Sequence, residues 1–303
     1  MDIKTLKSFI SVAEHQSFSA AAKQLHTVQP AISRHIAQLE ESLGVSLFNR
    51  NSREVIITSA GKQLLIDGHA ILEQIEAASL RVKRAEQGEI GRLRVAHMPS
   101  ACLPFMAKLI NRYTNNYPGV NISLYEMAVT QQLEAFKNKQ IDIGFSRAMP
   151  TALSHDYSSH TIYNDQLVVV VNQKHTLANR QSVTLEELQS EAVILFNRDE
   201  AVDLFDDIIA MFKKAGFSPN IISQPRHMQT LLTEVAAGLG IAIAPYCIRK
   251  QYSAGCHFLT IDGLNKIIPT QLHVNKSNQA ATVAPFVELT IAMKQEIEQS
   301  MSE

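Results

Sequence analysis

Pro30, Ser33, Arg34 and Ala37 recur at a spacing that puts them on one side of a helix. That side is short-chained, carries a hydroxyl and one guanidinium, and meets no acid before Glu40. A helix made only for solvent usually carries more charge. Small side chains with a hydrogen-bonding group and a positive charge near the helix start suit entry into a DNA groove. Arg50 and Arg53 follow, on either side of Asn51-Ser52. Two arginines at a hairpin tip suit phosphates or a minor groove. Taken singly each is an ordinary solvated residue, and only the preceding helix tips them toward DNA.

A second group lies at the ends of apolar strand-like runs: Ser100, Thr130, Arg147, Phe196, Asn197, His227 and Met228. Ligands of open α/β sheets bind beyond the carboxyl ends of strands, where helix starts offer free N–H groups. Hydroxyls, an amide and an arginine suit a carboxylate, and Phe196 with Met228 suits an apolar or aromatic body. Each has a plainer alternative. Ser100 and Thr130 fit helix caps, Arg147 fits a pairing residue between lobes, and His227 fits a structural role. Arg198 has Asp199 and Glu200 beside it and ranks below Arg147.

These residues need elements to hold them. Ile3, Leu6, Phe9, Ile10 and Ala13 define a helix over 3–14, and a short Ala-rich helix is expected over 20–25. Ile32, Ile36, Leu39 and Leu43 form the core stripe of a third helix over 29–43, with Gly44 as its stop. Residues 47–50 and 54–57 read as a hairpin around the turn 51–53. Thr58 then suits the N-cap of a long helix. Leu64, Gly68, Ile71, Ile75, Ala78, Val82 and Ala85 alternate spacings of four and three, widened by Leu65 and Leu72. That heptad seam asks for a partner, read here as a second copy of the chain. From Arg92 onward strands alternate with helices, which implies a parallel, doubly wound sheet. The expected fold is therefore α+β and multi-domain: a winged helix-turn-helix over 1–58, a linker (dimerisation) helix over 59–89, and a two-lobed α/β domain over 90–303. Lobe I takes about 90–161 and 267–303, and lobe II about 162–266.

Composition narrows the function classes. Among 303 residues the formal net charge is -1, so contact with DNA must be local. The 3 cysteines are odd in number and form no C-x-x-C, which suggests neither a disulfide framework nor a zinc site. No secretory signal or membrane-length apolar run is visible, so a cytoplasmic protein is expected. There is no G-x-S-x-G, P-loop, G-x-G-x-x-G or H-E-x-x-H, and the 11 histidines lack ligand spacing. The reading is thus a regulator without catalytic residues, cofactor or metal. A solute-binding protein or an enzyme is the rival from another class. A redox sensor built on Cys247 and Cys256, nine residues apart, is the rival within the regulator class.

Phe9-Ile10-x-Val12-Ala13-Glu14, Ser17-Phe18-Ser19-x-Ala21-Ala22, Gln29-Pro30-Ala31-Ile32-Ser33-Arg34, Leu39-Glu40, Leu43-Gly44, Leu47-Phe48-x-Arg50 and Thr58-x-Ala60-Gly61 resemble the DNA-binding domain of LysR-type transcriptional regulators. The resemblance covers about the first sixty residues without gaps. It implies that Gln29, Pro30, Ser33 and Arg34 read the major groove while Arg50 and Arg53 touch the backbone or minor groove. It also implies a dimerising linker helix, a dimer of dimers, and a periplasmic-binding-protein-like effector domain. Double-stranded promoter DNA and a small-molecule effector are the partners, with RNA polymerase a further candidate. Val235-Ala236-Ala237-Gly238-x-Gly240-Ile241-Ala242-Ile243-x-Pro245 is typical of the same family. Asp142-x-Gly144-Phe145-x-Arg147 resembles the branch that senses aromatic-catabolism intermediates, in which Ser100 and Thr130 fall at effector positions.

Overall fold

A computed structural model of the chain describes residues 1–49, 54–150, 155–251 and 253–302. Two compact units result, Met1–Arg84 and Ala85–Glu303. In the first, α1 (Ile3–His15), α2 (Phe18–Gln24) and α3 (Gln29–Leu43) precede the antiparallel strands β1 (Phe48–Asn49) and β2 (Ile56–Ile57), and α4 (Ser59–Glu86) follows. Local chemistry sets the boundaries. The Asp2 carboxylate accepts the Thr5 N–H at 2.8 Å and starts α1. The Ser17 hydroxyl accepts the Ala20 N–H at 3.2 Å, so α2 begins at Phe18, earlier than its alanines suggest. Gly44 ends α3 at φ 69°, a left-handed conformation that a side chain disfavours. Ile32, Ile36 and Leu39 of α3 are buried with Phe9 and Val12 of α1 and Phe48 of β1.

Helix α4 is pinned at its start. The Thr58 hydroxyl donates to the Ser46 carbonyl at 2.8 Å and accepts from the Gly61 N–H at 3.0 Å. A Cβ on Gly61 would collide with the Leu47 carbonyl and the Ile57 side chain. The continuous dimer seam expected along this helix needs correction. Leu64, Leu65 and Leu72 pack on the unit's own core, and a Cβ at Gly68 would sit 3.1 Å from Leu6 and Ile10 of α1. Glycine lets α1 approach, so the first half of the seam is consumed within the chain. Further along, Val82 and Ile71 are exposed and Ile75 is half-buried, and Ile71 and Ile75 line a shallow apolar trough with Ala70, Gln74 and Ala78.

The second unit runs β3 (Ile90–His97), α5 (Pro99–Asn116), β4 (Gly119–Glu126), α6 (Val129–Lys137), β5 (Ile143–Arg147), β6 (Tyr157–Asn172), β7 (Ser182–Val183), β8 (Ala192–Ile194), α7 (Val202–Lys214), β9 (Asn220–Ser223), α8 (Met228–Ala236), β10 (Ile241–Pro245), β11 (Cys256–Ile261), β12 (Ile267–Asn275), α9 (Val283–Ala292) and α10 (Lys294–Ser302). Sheet order is β4-β3-β5-β12-β6-β10-β8-β9, with β11 joining β6 and β7. Two lobes share the long strand β6. Its residues 157–166 pair with β12, and residues 167–172 pair with β10 and β11.

The sheet is not purely parallel, which corrects the strand–helix alternation read from sequence. β3, β4 and β5 run parallel in one lobe, as do β8, β9 and β10 in the other. β12 is antiparallel to both β5 and β6, and β10 and β11 are antiparallel to β6. The physical reason is the crossover. The chain leaves lobe I on β6 and returns on β12, so the crossing strands run against their neighbours. One apolar cluster passes from lobe to lobe, taking Ala101, Cys102 and Phe145 from the first and Ile194, Met228, Ala244 and Cys247 from the second.

Candidate DNA-reading face and effector cleft

On α3 the buried stripe leaves Gln29, Pro30, Arg34 and Ala37 exposed and Ser33 half-buried. The face is outward because Ile32, Ile36 and Leu39 are only 0%, 4% and 1% exposed on the other side. Two residues missed by the sequence reading hold the helix at its angle. Glu40 is buried, and its Oε1 accepts the N–H groups of Leu47 (2.7 Å) and Phe48 (3.3 Å), tying α3 to β1. His35 ties α3 to α1 through a 2.8 Å bond between Nδ1 and the Ser8 hydroxyl. Ser8 spends its own proton on the Lys4 carbonyl at 3.0 Å, so its oxygen receives the His35 Nδ1–H. Arg50 and Arg53 lie outside the described residues.

In the second unit, Ser100 and Thr130 stand second in α5 and α6, just past the ends of β3 and β4. They are not caps. The N-cap positions of these helices are Met98 and Ala128, neither of which makes a side-chain cap bond, and His227 before α8 makes none either. No N-cap side chain covers these three helix starts, although at α6 the Gln131 Oε1 accepts the Ala128 N–H at 2.8 Å, and the other first-turn N–H groups favour an anion. Thr130 and His227 are exposed, and Ser100, Phe196 and Asn197 are half-buried. Met228 is buried in the inter-lobe cluster, against which Met98 and Phe196 also pack. The Asn197 N–H donates to the Pro225 carbonyl at 3.0 Å, and its side-chain oxygen accepts the Asp199 N–H at 3.0 Å. Arg198 is engaged by Asp206 through two 2.8 Å bonds, not by its sequence neighbours.

Arg147 has a full set of protein partners. Its Nη1 donates to Thr270 Oγ1 at 2.7 Å, and its Nη2 lies 3.3 Å from Asp165 Oδ2. The Asp165 side chain is 4% exposed and also accepts the N–H groups of Gln166 (2.9 Å) and Cys247 (3.4 Å). Asp165 sits where β6 passes between lobes, so this ion pair ties the end of β5 to the crossing strand and to Cys247, two residues past β10. The rest of the motif around Arg147 has packing causes. Asp142 is gripped by Arg94 through Nη2 to Oδ1 at 2.7 Å and Nε to Oδ2 at 2.9 Å. Burial works against the Asp142 charge, yet the Arg94 bonds hold its carboxyl below the usual range. Gly144 leaves room for the Gln132 side-chain oxygen and the Phe136 ring, and Phe145 is fully buried. At the end of β3, His97 is buried with no hydrogen-bond partner at Nδ1, and burial lowers its pKa.

The redox alternative on Cys247 and Cys256 does not survive the strand register. Pro245 of β10 pairs with Leu167 of β6, whereas Cys256 of β11 pairs with Asn172. Those positions on β6 are separated by roughly 16 Å of strand, and Cys247 continues away from Cys256. A disulfide needs Cα atoms about 4.4–6.8 Å apart. Both thiols are buried and burial raises their pKa values, that of Cys247 to about 12. Among the described residues no cluster of three or more His, Cys, Asp or Glu side chains is placed to hold a metal, and no helix is long and apolar enough to cross a membrane.

Comparison with known proteins covers both units. Residues 3–62 match the model of bacterial regulatory helix-turn-helix proteins of the lysR family, and residues 86–292 match the LysR substrate binding domain. The transcriptional regulator ClcR of Pseudomonas putida is 30% identical over 289 residues, covering 95% of this chain and 98% of that protein. The regulator YnfL of Escherichia coli is 32% identical over 255 residues, covering 82% of this chain and 84% of that protein. Among solved structures, the LysR family transcriptional regulator CbnR has a TM-score of 0.78 at 29% identity, covering 96% of this chain and 100% of that one. Full-length CbnR complexed with its target DNA has a TM-score of 0.80 at 28% identity, covering 97% of this chain and 100% of that one.

Proposed function

The chain belongs to the LysR family of DNA-binding transcriptional regulators with an effector-binding domain, and from that premise we propose how its own residues divide the work. Gln29, Pro30, Ser33 and Arg34 read base edges in the major groove, and Arg50 and Arg53 meet phosphates or the minor groove. The observation that carries this reading is the outward, short-chained face of α3 opposite the buried Ile32, Ile36 and Leu39. A second copy covers the trough around Ile71 and Ile75 of α4, giving a dimer, and dimers pair into a tetramer on promoter DNA. The protein works in the cytoplasm, has no enzymatic activity, and acts on transcription through RNA polymerase.

The effector is a small organic acid, aromatic acids included. Ser100, Thr130, Asn197 and His227 surround its carboxylate at the starts of α5, α6 and α8, and Phe196 and Met228 face its apolar body. Arg147 lies beneath, already committed to Asp165, and couples the site to the crossing strands. Ligand shifts the population of lobe arrangements only if it binds one of them better. The test is a thermal-shift screen of the full chain against small aromatic and aliphatic acids, where a true ligand raises stability with its occupancy. Thr130→Val then abolishes the shift while operator affinity stays. Arg34→Ala does the reverse, weakening specific DNA binding by about 1–3 kcal/mol. A Thr130→Val protein that responds normally places the acid elsewhere. Normal footprinting by Arg34→Ala removes α3 from the groove.

A further inference from the structure

Val28 occupies a position that neither stability nor packing explains. It is the N-cap of α3 and is 64% exposed. An N-cap favours Ser, Thr, Asp or Asn, whose oxygen accepts one of the first free N–H groups of the helix, and valine is among the poorest choices. The two preceding helices follow that rule with Asp2 and Ser17. Val28 makes no cap bond, and its isopropyl group is absent from the apolar cluster around Ile32 and Leu39. It stands instead beside Gln29 and Pro30, both exposed, at the tip of the helix that meets DNA.

We propose that Val28 is a specificity residue whose isopropyl group packs on the 5-methyl group of one thymine in each half-site. The assignment rests on α3 being the groove-reading helix. Among the groups that base pairs present in the major groove, the thymine methyl is the apolar one, and aliphatic side chains contact it. An exposed aliphatic group at the leading end of the helix thereby selects T·A over pairs that lack a methyl, and the helix forgoes a capping bond in exchange.

Deoxyuridine substitution isolates this contact, because it deletes the methyl and leaves every hydrogen-bonding group. Duplexes enriched in vitro on the full chain are remade with each thymine replaced singly, and affinities are measured by fluorescence anisotropy. Wild type loses about fourfold at one thymine per half-site, the equivalent of one buried methyl group. Val28→Ala and Val28→Ser bind the thymine duplex more weakly and lose that penalty. Val28→Ser supplies a cap and melts no lower than wild type, which separates lost recognition from lost folding. Arg34→Ala, run in parallel, keeps the uracil penalty and relaxes selection at a different base pair. If both Val28 variants retain the wild-type penalty at every thymine, or wild type shows none, the assignment is wrong. If Arg34→Ala matches wild type on all duplexes, the groove-reading role of α3 falls and the Val28 assignment with it.

Discussion

Replacing Arg147 by alanine separates two accounts of this residue. If it served mainly to hold a ligand, its loss would leave the unliganded protein about as stable as before. The geometry demands the opposite. Asp165, 4% exposed, would lose the guanidinium at 3.3 Å and keep only backbone N–H donors from Gln166 and Cys247. Breaking a buried pair from one side costs about 3–5 kcal/mol. The surviving N–H donors and the partial exposure of Arg147 (19%) argue for the lower end, about 3 kcal/mol. In an Asp165→Asn background no bare charge remains, and Arg147→Ala should cost about 1 kcal/mol, for the lost bond to Thr270. The expected coupling is therefore about 2 kcal/mol, against a typical domain stability of about 5–15 kcal/mol. Urea unfolding of the full chain followed by tyrosine fluorescence measures it cleanly. All 7 tyrosines lie in the second unit and Trp is absent, so the signal reports on that unit alone. A coupling below about 0.5 kcal/mol, with Arg147→Ala near wild type in both backgrounds, would refute the role of this pair in tying β5 to β6.

Mild acid should weaken the second unit through His273. His273 is fully buried between the Ser159 hydroxyl and the Arg147 carbonyl, and burial lowers its pKa to about 4. Its folded pKa thus lies below the unfolded value, so the unfolded chain binds the extra proton between about pH 6.5 and 4. Stability is complete above that window and falls through it by up to about 3 kcal/mol, and a pH series of urea midpoints should show His273→Gln flattening the slope. In the first unit, Glu40→Ala strands the buried N–H groups of Leu47 and Phe48 and should cost about 2–3 kcal/mol. Glu40→Gln keeps an acceptor and should cost about half as much, by thermal melting followed by helical circular dichroism; equal losses would argue against the tie to β1.

Much of the first unit was legible because its information is local. Apolar spacing of three and four picked out Ile32, Ile36, Leu39 and Leu43; the first three are buried, while Leu43, in the last turn of α3, is 39% exposed. The α/β character of the second unit came from the same kind of signal, and Gly44 marked the end of α3. The seam of α4 shows where local reading runs out. Heptad spacing says that Leu64, Gly68 and Ile71 share a stripe, but not that Leu64 packs on the unit's own core and Gly68 on α1 while Ile71 stays open. β11 went unread because its Cys-His-Phe-Leu-Thr-Ile run is neither a continuous apolar run nor a strict apolar/polar alternation.

The sequence by itself determined the main periodic elements, the caps at Ser17 and Thr58, the stop at Gly44, and the family signature on the first helices, since each depends on side chains within a turn or two of one another. Tertiary structure alone decided which charges meet and which thiols do not. Arg147 finds Asp165 18 residues away and Thr270 123 residues away, while Cys247 and Cys256, nearer in sequence, are held apart by the register of β10 and β11 on β6. Ion pairing and thiol proximity depend on distance in space, and chain crossings between lobes set that distance without leaving a mark in any short window of residues.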